Sequence, residues 1–297
     1  CVPEAFGSSA LLFAGAYAVV RAAHILLFTV ASREDPNLRR SVTGLGVSTG
    51  IGVAILVLAA FAGDGLRLGL WVLAVVLDCG GPFVFGVEGW KLVPGHFAER
   101  HGLIVLIAIG ESIVAIGVGA QATISVGIVT AAVLGTAVAA AFWWLYFDVV
   151  ALAAERRLSR ARAGRERNSM ARDSFSYLHF PMVAGIALVA VGLKKTLARV
   201  DDPLALVPAV AMLGGTAVYL TAHVAFRLRN IGTLNRQRLV ATAVLLALIP
   251  AGVRLPALAT LAVLAAVLAV LITYEAVRFA EARARIRHQL DASPPPD

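Results

Sequence analysis

The chain has 297 residues, of which 59% are apolar and only 15% charged, against about 25% charged in soluble domains. With a mean hydropathy of +0.84, this excludes a soluble two-domain protein and leaves no soluble region large enough for a nucleic-acid-binding face or an ATPase. The net charge of +8 sits mostly on arginines between apolar stretches, so the expected electrostatic partner is a lipid bilayer with an anionic inner leaflet.

A helix needs about 20 mostly apolar residues to cross a bilayer. Nine stretches read as such helices: 5–31, 41–62, 68–90, 102–122, 125–150, 174–198, 204–226, 239–253 and 256–278. They predict an all-α polytopic transmembrane helix bundle over residues 1–278. A cytoplasmic tail, 279–297, follows, and its SPPPD end reads as disordered. The first stretch carries Arg21 and His24 one turn apart. The third contains Asp78-Cys79-Gly80-Gly81-Pro82, a run expected to break or kink the helix. Pro82 removes a hydrogen bond there, and the two glycines loosen the turn before it. The fourth begins in HFAERHGLIVLIAIGESIVAIGVG, residues 96–119. It places Glu111 near the middle of an apolar helix, with Glu99, Arg100 and His101 at its mouth. Gly110, Gly117 and Gly119 read as a close-packing face of that helix. Phe142, Trp143, Trp144, Tyr146 and Phe147 read as an interfacial aromatic belt at the end of the fifth helix. Residues 151–173 read as an Arg-rich loop that orients the chain and touches lipid. The eighth stretch is short and carries Pro250, so it reads as tilted or re-entrant. Cys1 and Cys79 support neither a disulfide framework nor a metal site. His96, Glu99 and His101 match neither HExxH nor a zinc spacing, so no metal and no other cofactor is expected.

Lysine and arginine set the orientation. One side holds three in 32–40, two in 91–101, seven in 151–173, four in 227–238 and four in 278–297. The other side holds Arg67, Lys194, Lys195, Arg199 and Arg254. The split predicts a bacterial inner-membrane protein with a cytoplasmic C-terminus. The chain begins with Cys rather than Met, and we expect a fragment whose upstream helices are missing.

An ionised side chain near the bilayer centre costs several kcal/mol unless paired or wetted. Asp78 and Glu111 are therefore the prime candidates for proton or ion binding. Arg21 is the preferred partner of Asp78, and His24, His101 and His179 are candidate relays. Glu99 and Asp148 belong to the same expected vestibule, which opens to the cytoplasm. All six histidines fall on the predicted cytoplasmic side, so the outer half is expected to be a dry seal. Asp148, Glu275, Lys194 and Lys195 also fit ordinary interface positions.

HFAERHGLIVLIAIGESIVAIG, the FWWLYFD segment at 142–148 and YLHFPMVAGIALVAVGLKK at 177–195 resemble the bacterial low temperature requirement A (LtrA) family, over essentially the whole chain. The resemblance implies a multi-pass membrane protein without assigned catalytic residues. Members typically begin with a helix rich in an ELFFDLVF-like run, which is absent here. The leading expectation is a proton- or cation-coupled transporter or channel-like protein rather than an enzyme. The rivals are a membrane-embedded enzyme acting on lipid and a non-catalytic sensor or scaffold. Glycine-lined helix faces permit self-association into a homo-oligomer.

Overall fold

The structure, a computed structural model, describes residues 5–120, 125–281, 283 and 284, and of Asp64 the backbone alone. Cys1, His288 and the SPPPD end lie outside the described residues. The helices are α1 (Ala10–Ala31), α2 (Pro36–Phe61), α3 (Asp64–Val84), α4 (Pro94–Gly119), α5 (Val126–Phe147), α6 (Val150–Arg160), α7 (Arg165–Met170), α8 (His179–Ala198), α9 (Leu206–Ala209), α10 (Gly215–Ile231), α11 (Arg236–Ala247), α12 (Ile249–Gly252) and α13 (Ala257–Arg278). Two π-helical stretches, Ala171–Tyr177 and Val210–Gly214, interrupt the series. Among the described residues eight helical stretches are long and apolar enough to cross a membrane. The protein is an all-α polytopic bundle.

The expected helix 239–253 is not among those eight. It forms α11 and the single turn α12, interrupted at Leu248, just before Pro250, which cannot continue the hydrogen-bond ladder. The broken element still returns the chain to the other end. Pro203 and Pro256 form an isolated antiparallel bridge, and Ala257 N–H donates to Asp202 O at 2.9 Å. The 151–173 segment is helical rather than a loop, because α6 and α7 occupy most of it.

The chain divides into two compact units. The first holds residues 1–92 and 162–172. Here α2 starts sharply: Pro36 needs no N–H partner at its position, and the Asp35 carboxylate accepts from Asn37 N at 3.0 Å and Leu38 N at 3.1 Å. Small residues let α2 and α3 approach closely. A Cβ on Gly52 would stand 3.0 Å from Ala74 O and 3.3 Å from Asp78 Cβ, and one on Gly81 would collide with Ser48 Oγ. Ala14, Leu56 and Ala74 meet at the centre, flanked by Phe13, Tyr17 and Trp71. The expected break at 78–82 does not occur. The helix runs through to Val84, since Pro82 falls in its last turn, where little ladder remains to be lost. Asn168 of α7 fastens the following loop, donating to Val87 O and Trp90 O, both at 2.9 Å.

The second unit holds residues 93–161 and 173–297. Its central crossing is α8 against α10. A Cβ on Gly185 would stand 2.6 Å from Gly215 O, and one on Gly215 2.8 Å from Gly185 O, so neither position admits a side chain. Gly119 of α4 is equally confined, 2.8 Å from Lys194 O, whereas Gly110 and Gly117 face open space. The expected glycine packing face is thus made by Gly119 alone. The aromatic run at the end of α5 also divides: Phe142 and Tyr146 are buried in the core, while Trp143 and Trp144 are exposed.

Candidate functional site

The first unit contains a polar cluster at the centre of its three long helices. Arg21 of α1 reaches Asp78 of α3 at 2.5 Å and Thr49 of α2 at 2.6 Å. Thr49 Oγ1 donates to the same Asp78 oxygen at 2.5 Å, and the Tyr17 hydroxyl donates to the other. Asp78 is 9% exposed and holds three charge-assisted bonds, so it is both neutralised and saturated. The expected Arg21–Asp78 pair is present. His24 is exposed, 3.4 Å from Arg21 Nη1.

The second unit carries a buried row of rings. His101 of α4 bonds Phe97 O at 2.8 Å, and its ring meets that of His179 with centroids 5.2 Å apart. His179 Nδ1 lies 3.0 Å from Ser174 O and its Nε2 2.7 Å from the Tyr146 hydroxyl. A carbonyl only accepts, so Nδ1 carries a proton; in the neutral ring Nε2 then accepts from Tyr146. The π-helical turn 171–177 presents Ser174 O to the ring, a common use of such turns. Beyond Tyr146 lies His223, 6.0 Å away between centroids and itself 4.5 Å from Tyr219. His223 is 1% exposed, and neither ring nitrogen has a hydrogen-bond partner among the described residues.

His223 stands in the wall of a cavity of about 190 Å³ between α5, α6, α10, α11 and α13. Two ion pairs bound it. Arg238 grips Glu275 at 2.8 and 2.9 Å, with Asn235 and Gln237 donating to the same carboxylate. Arg283 pairs with Asp148 at 2.5 Å. Further along this unit the interior is uncharged: Met182, Ile186, Val189, Leu193, Leu197 and Met212 are fully buried, with the hydroxyls of Ser112, Thr196 and Thr216 among them.

The predicted site residues thus separate. Asp78, Arg21 and His24 belong to the first unit; Glu111, Glu99, His101, Asp148 and His179 belong to the second. Glu111 lies on an exposed stripe of α4 with Ile104, Ile107, Val114 and Val118. Glu99 is exposed and pairs only loosely with His96, at 3.8 Å. Sequence reasoning passed over Tyr146, treated as belt, and Arg238, counted as a loop charge. It assigned Glu275 to an interface. A signal for the last two was available: a carboxylate near the end of a long apolar helix calls for a cation of matching depth.

A family model described as bacterial low temperature requirement A protein (LtrA) matches residues 1–273. The chain belongs to the LtrA family. An uncharacterized protein of Rhizobium meliloti (strain 1021) is 28% identical to it over 233 residues, covering 74% of this chain and 56% of that protein. The LtrA-family chain therefore spans little more than half the length of that relative. No solved structure matches it. The family fixes a multi-pass membrane protein and leaves the activity to be argued from the two clusters.

Proposed function

We propose that this LtrA-family protein moves protons or small cations across the bacterial cytoplasmic membrane, with its C-terminus on the cytoplasmic side. The observation that carries the reading is the 2.7 Å contact of the Tyr146 hydroxyl with His179 Nε2, inside a row that runs from His101 to His223. Imidazoles bind and release protons near neutral pH, and a hydroxyl hydrogen-bonded to one of them can exchange a proton with it; His101 and His223 extend the row by ring contact. The row ends at a cavity with ionised walls, while the buried residues further along the unit are uncharged. That arrangement supports a half-path open toward one side and closed toward the other, as alternating access requires. The lysine and arginine asymmetry supports the orientation. Glu111 remains the candidate ion-binding carboxylate on α4, and no hydrogen bond or ion pair to it is present among the described residues. Asp78 serves in this reading as the lock of the first unit, since three donors already occupy it.

The test is flux in proteoliposomes of the full-length protein. Tyr146→Phe keeps the ring and removes only the hydroxyl, and it should lower proton or cation flux about 100-fold, the scale of a lost proton-transfer group. Glu111→Gln should lower it as well. Undiminished flux in Tyr146→Phe, in protein that remains folded, would overturn the route through the histidine row.

A further inference from the structure

Arginine is the side chain best matched to a phosphate, which its planar fork can grip through two N–H groups at once. In the first unit Arg162, Arg165 and Arg172 line an open groove of about 710 Å³, together with Phe83, Gly86 and Glu166, a volume in the range of ligand sites. Arg162 and Arg165 are exposed, and Arg162 makes no side-chain hydrogen bond or ion pair among the described residues. The neighbouring Glu88 carboxylate is already held, by Arg165 Nε at 3.2 Å on one oxygen and by Val87 N at 3.0 Å on the other. With Glu88 counted beside Glu166, the arginines outnumber the carboxylates three to two, so the groove carries one positive charge in excess.

The groove also has a fixed place relative to apolar surface. Helix α3 is among the membrane-scale helices, and Leu68, Val72, Val76 and Phe83 form an exposed stripe on one face of it. In a bilayer such a stripe meets acyl chains. It ends in the groove, because Phe83 lies in the last turn of α3 and lines it. The Arg172 guanidinium stands 4.1 Å from the centroid of that ring and donates to Pro82 O at 3.0 Å, one of the last four carbonyls of the helix. Cation and ring thus meet where hydrocarbon gives way to headgroups. We propose that this groove holds the headgroup of an anionic phospholipid from the surrounding leaflet, with its phosphate among Arg162, Arg165 and Arg172 and an acyl chain along the stripe of α3. The class follows from both halves. One phosphodiester matches the single excess charge, and the stripe calls for a chain attached to it. A zwitterionic lipid brings a cation of its own and gains less. The site rests neither on ion movement nor on the orientation of the chain.

The test is lipid binding to the full-length protein in detergent, read by native mass spectrometry, with phosphatidylglycerol, phosphatidylcholine of the same chains and inorganic phosphate as probes. Phosphatidylglycerol should bind at least about ten-fold more tightly than phosphatidylcholine. Arg162→Gln with Arg165→Gln should lower its affinity about 25-fold, roughly five-fold for each arginine. Arg157→Gln with Arg160→Gln removes the same charge from exposed positions of α6 outside the groove, and should change the affinity less than about two-fold, since screening confines each charge to its surroundings. Equal affinity for the two lipids would overturn the anionic class, and that comparison needs no variant. An equal loss in both double variants would reduce the effect to diffuse charge and overturn the site. Displacement of phosphatidylglycerol by millimolar inorganic phosphate would assign the groove to a free anion and overturn the lipid.

Discussion

The polar clusters of the two units differ in one respect above all. Around Asp78 the carboxylate has a partner on each oxygen: Arg21, Thr49 and Tyr17 converge on it from two other helices. Around His223 nothing converges, although it is more deeply buried. A saturated buried charge fixes neighbouring helices in place, and breaking it releases an uncompensated charge into the interior. An unsaturated buried imidazole stabilises nothing as it stands and persists because something else uses it. Burial of an ionisable group in a membrane helix is therefore not one signal but two, told apart by counting its partners.

The most severe challenge to this comparison is Asp78→Ala, which strands the Arg21 guanidinium. It should cost about 3–5 kcal/mol, seen as a lowered unfolding midpoint in detergent. The double variant Arg21→Met with Asp78→Leu should recover most of that loss, as apolar replacement of a buried pair often does. If Asp78→Ala kept full stability but lost flux, the two clusters would have to exchange roles. Tyr17→Phe removes one hydrogen bond to the same carboxylate and should cost about 1.5–3 kcal/mol, so a midpoint equal to wild type would show the cluster to be less than saturated. His223→Phe should act in the opposite direction. Removing an unmet polar group should raise the midpoint, by up to about 1–3 kcal/mol in free energy, and a fall of that size would reveal a partner. Glu111→Gln sharpens the contrast from the surface side. On an exposed stripe it should change stability by no more than about 0.5 kcal/mol, leaving any change in flux to be read as function.

Much of the fold was legible in the sequence, because hydropathy measures how each residue partitions between water and lipid, and that sum is local. Eight of the nine apolar stretches became long membrane-scale helices. The eighth, 239–253, is short and interrupted at Leu248, just before Pro250, the residue that already marked it as irregular in the sequence. The Arg21–Asp78 pair was legible for a related reason: two opposite charges of similar depth on early helices had little else to meet. The second cluster was not. Arg238 and Glu275 are 37 residues apart, and Tyr146 and His179 are 33. Nothing local distinguishes an aromatic at the interface from one turned inward, and Tyr146 and Trp144 sit two positions apart on one helix with opposite fates. The reach of Asn168 to Val87, 81 positions away, is likewise invisible until the chain folds.

The Arg238–Glu275 pair bears on how the protein is made. Helix α11 is short, begins with two arginines and a glutamine, and has no means of entering lipid unaided. Its neutralising carboxylate emerges from the ribosome only 37 residues later, a delay of roughly two to seven seconds at ordinary synthesis rates. During that interval Arg238 lacks the carboxylate that neutralises it in the folded protein. Helix α13 thus completes the neutralisation of α11, and loss of Glu275 would leave Arg238 an uncompensated charge from synthesis onward.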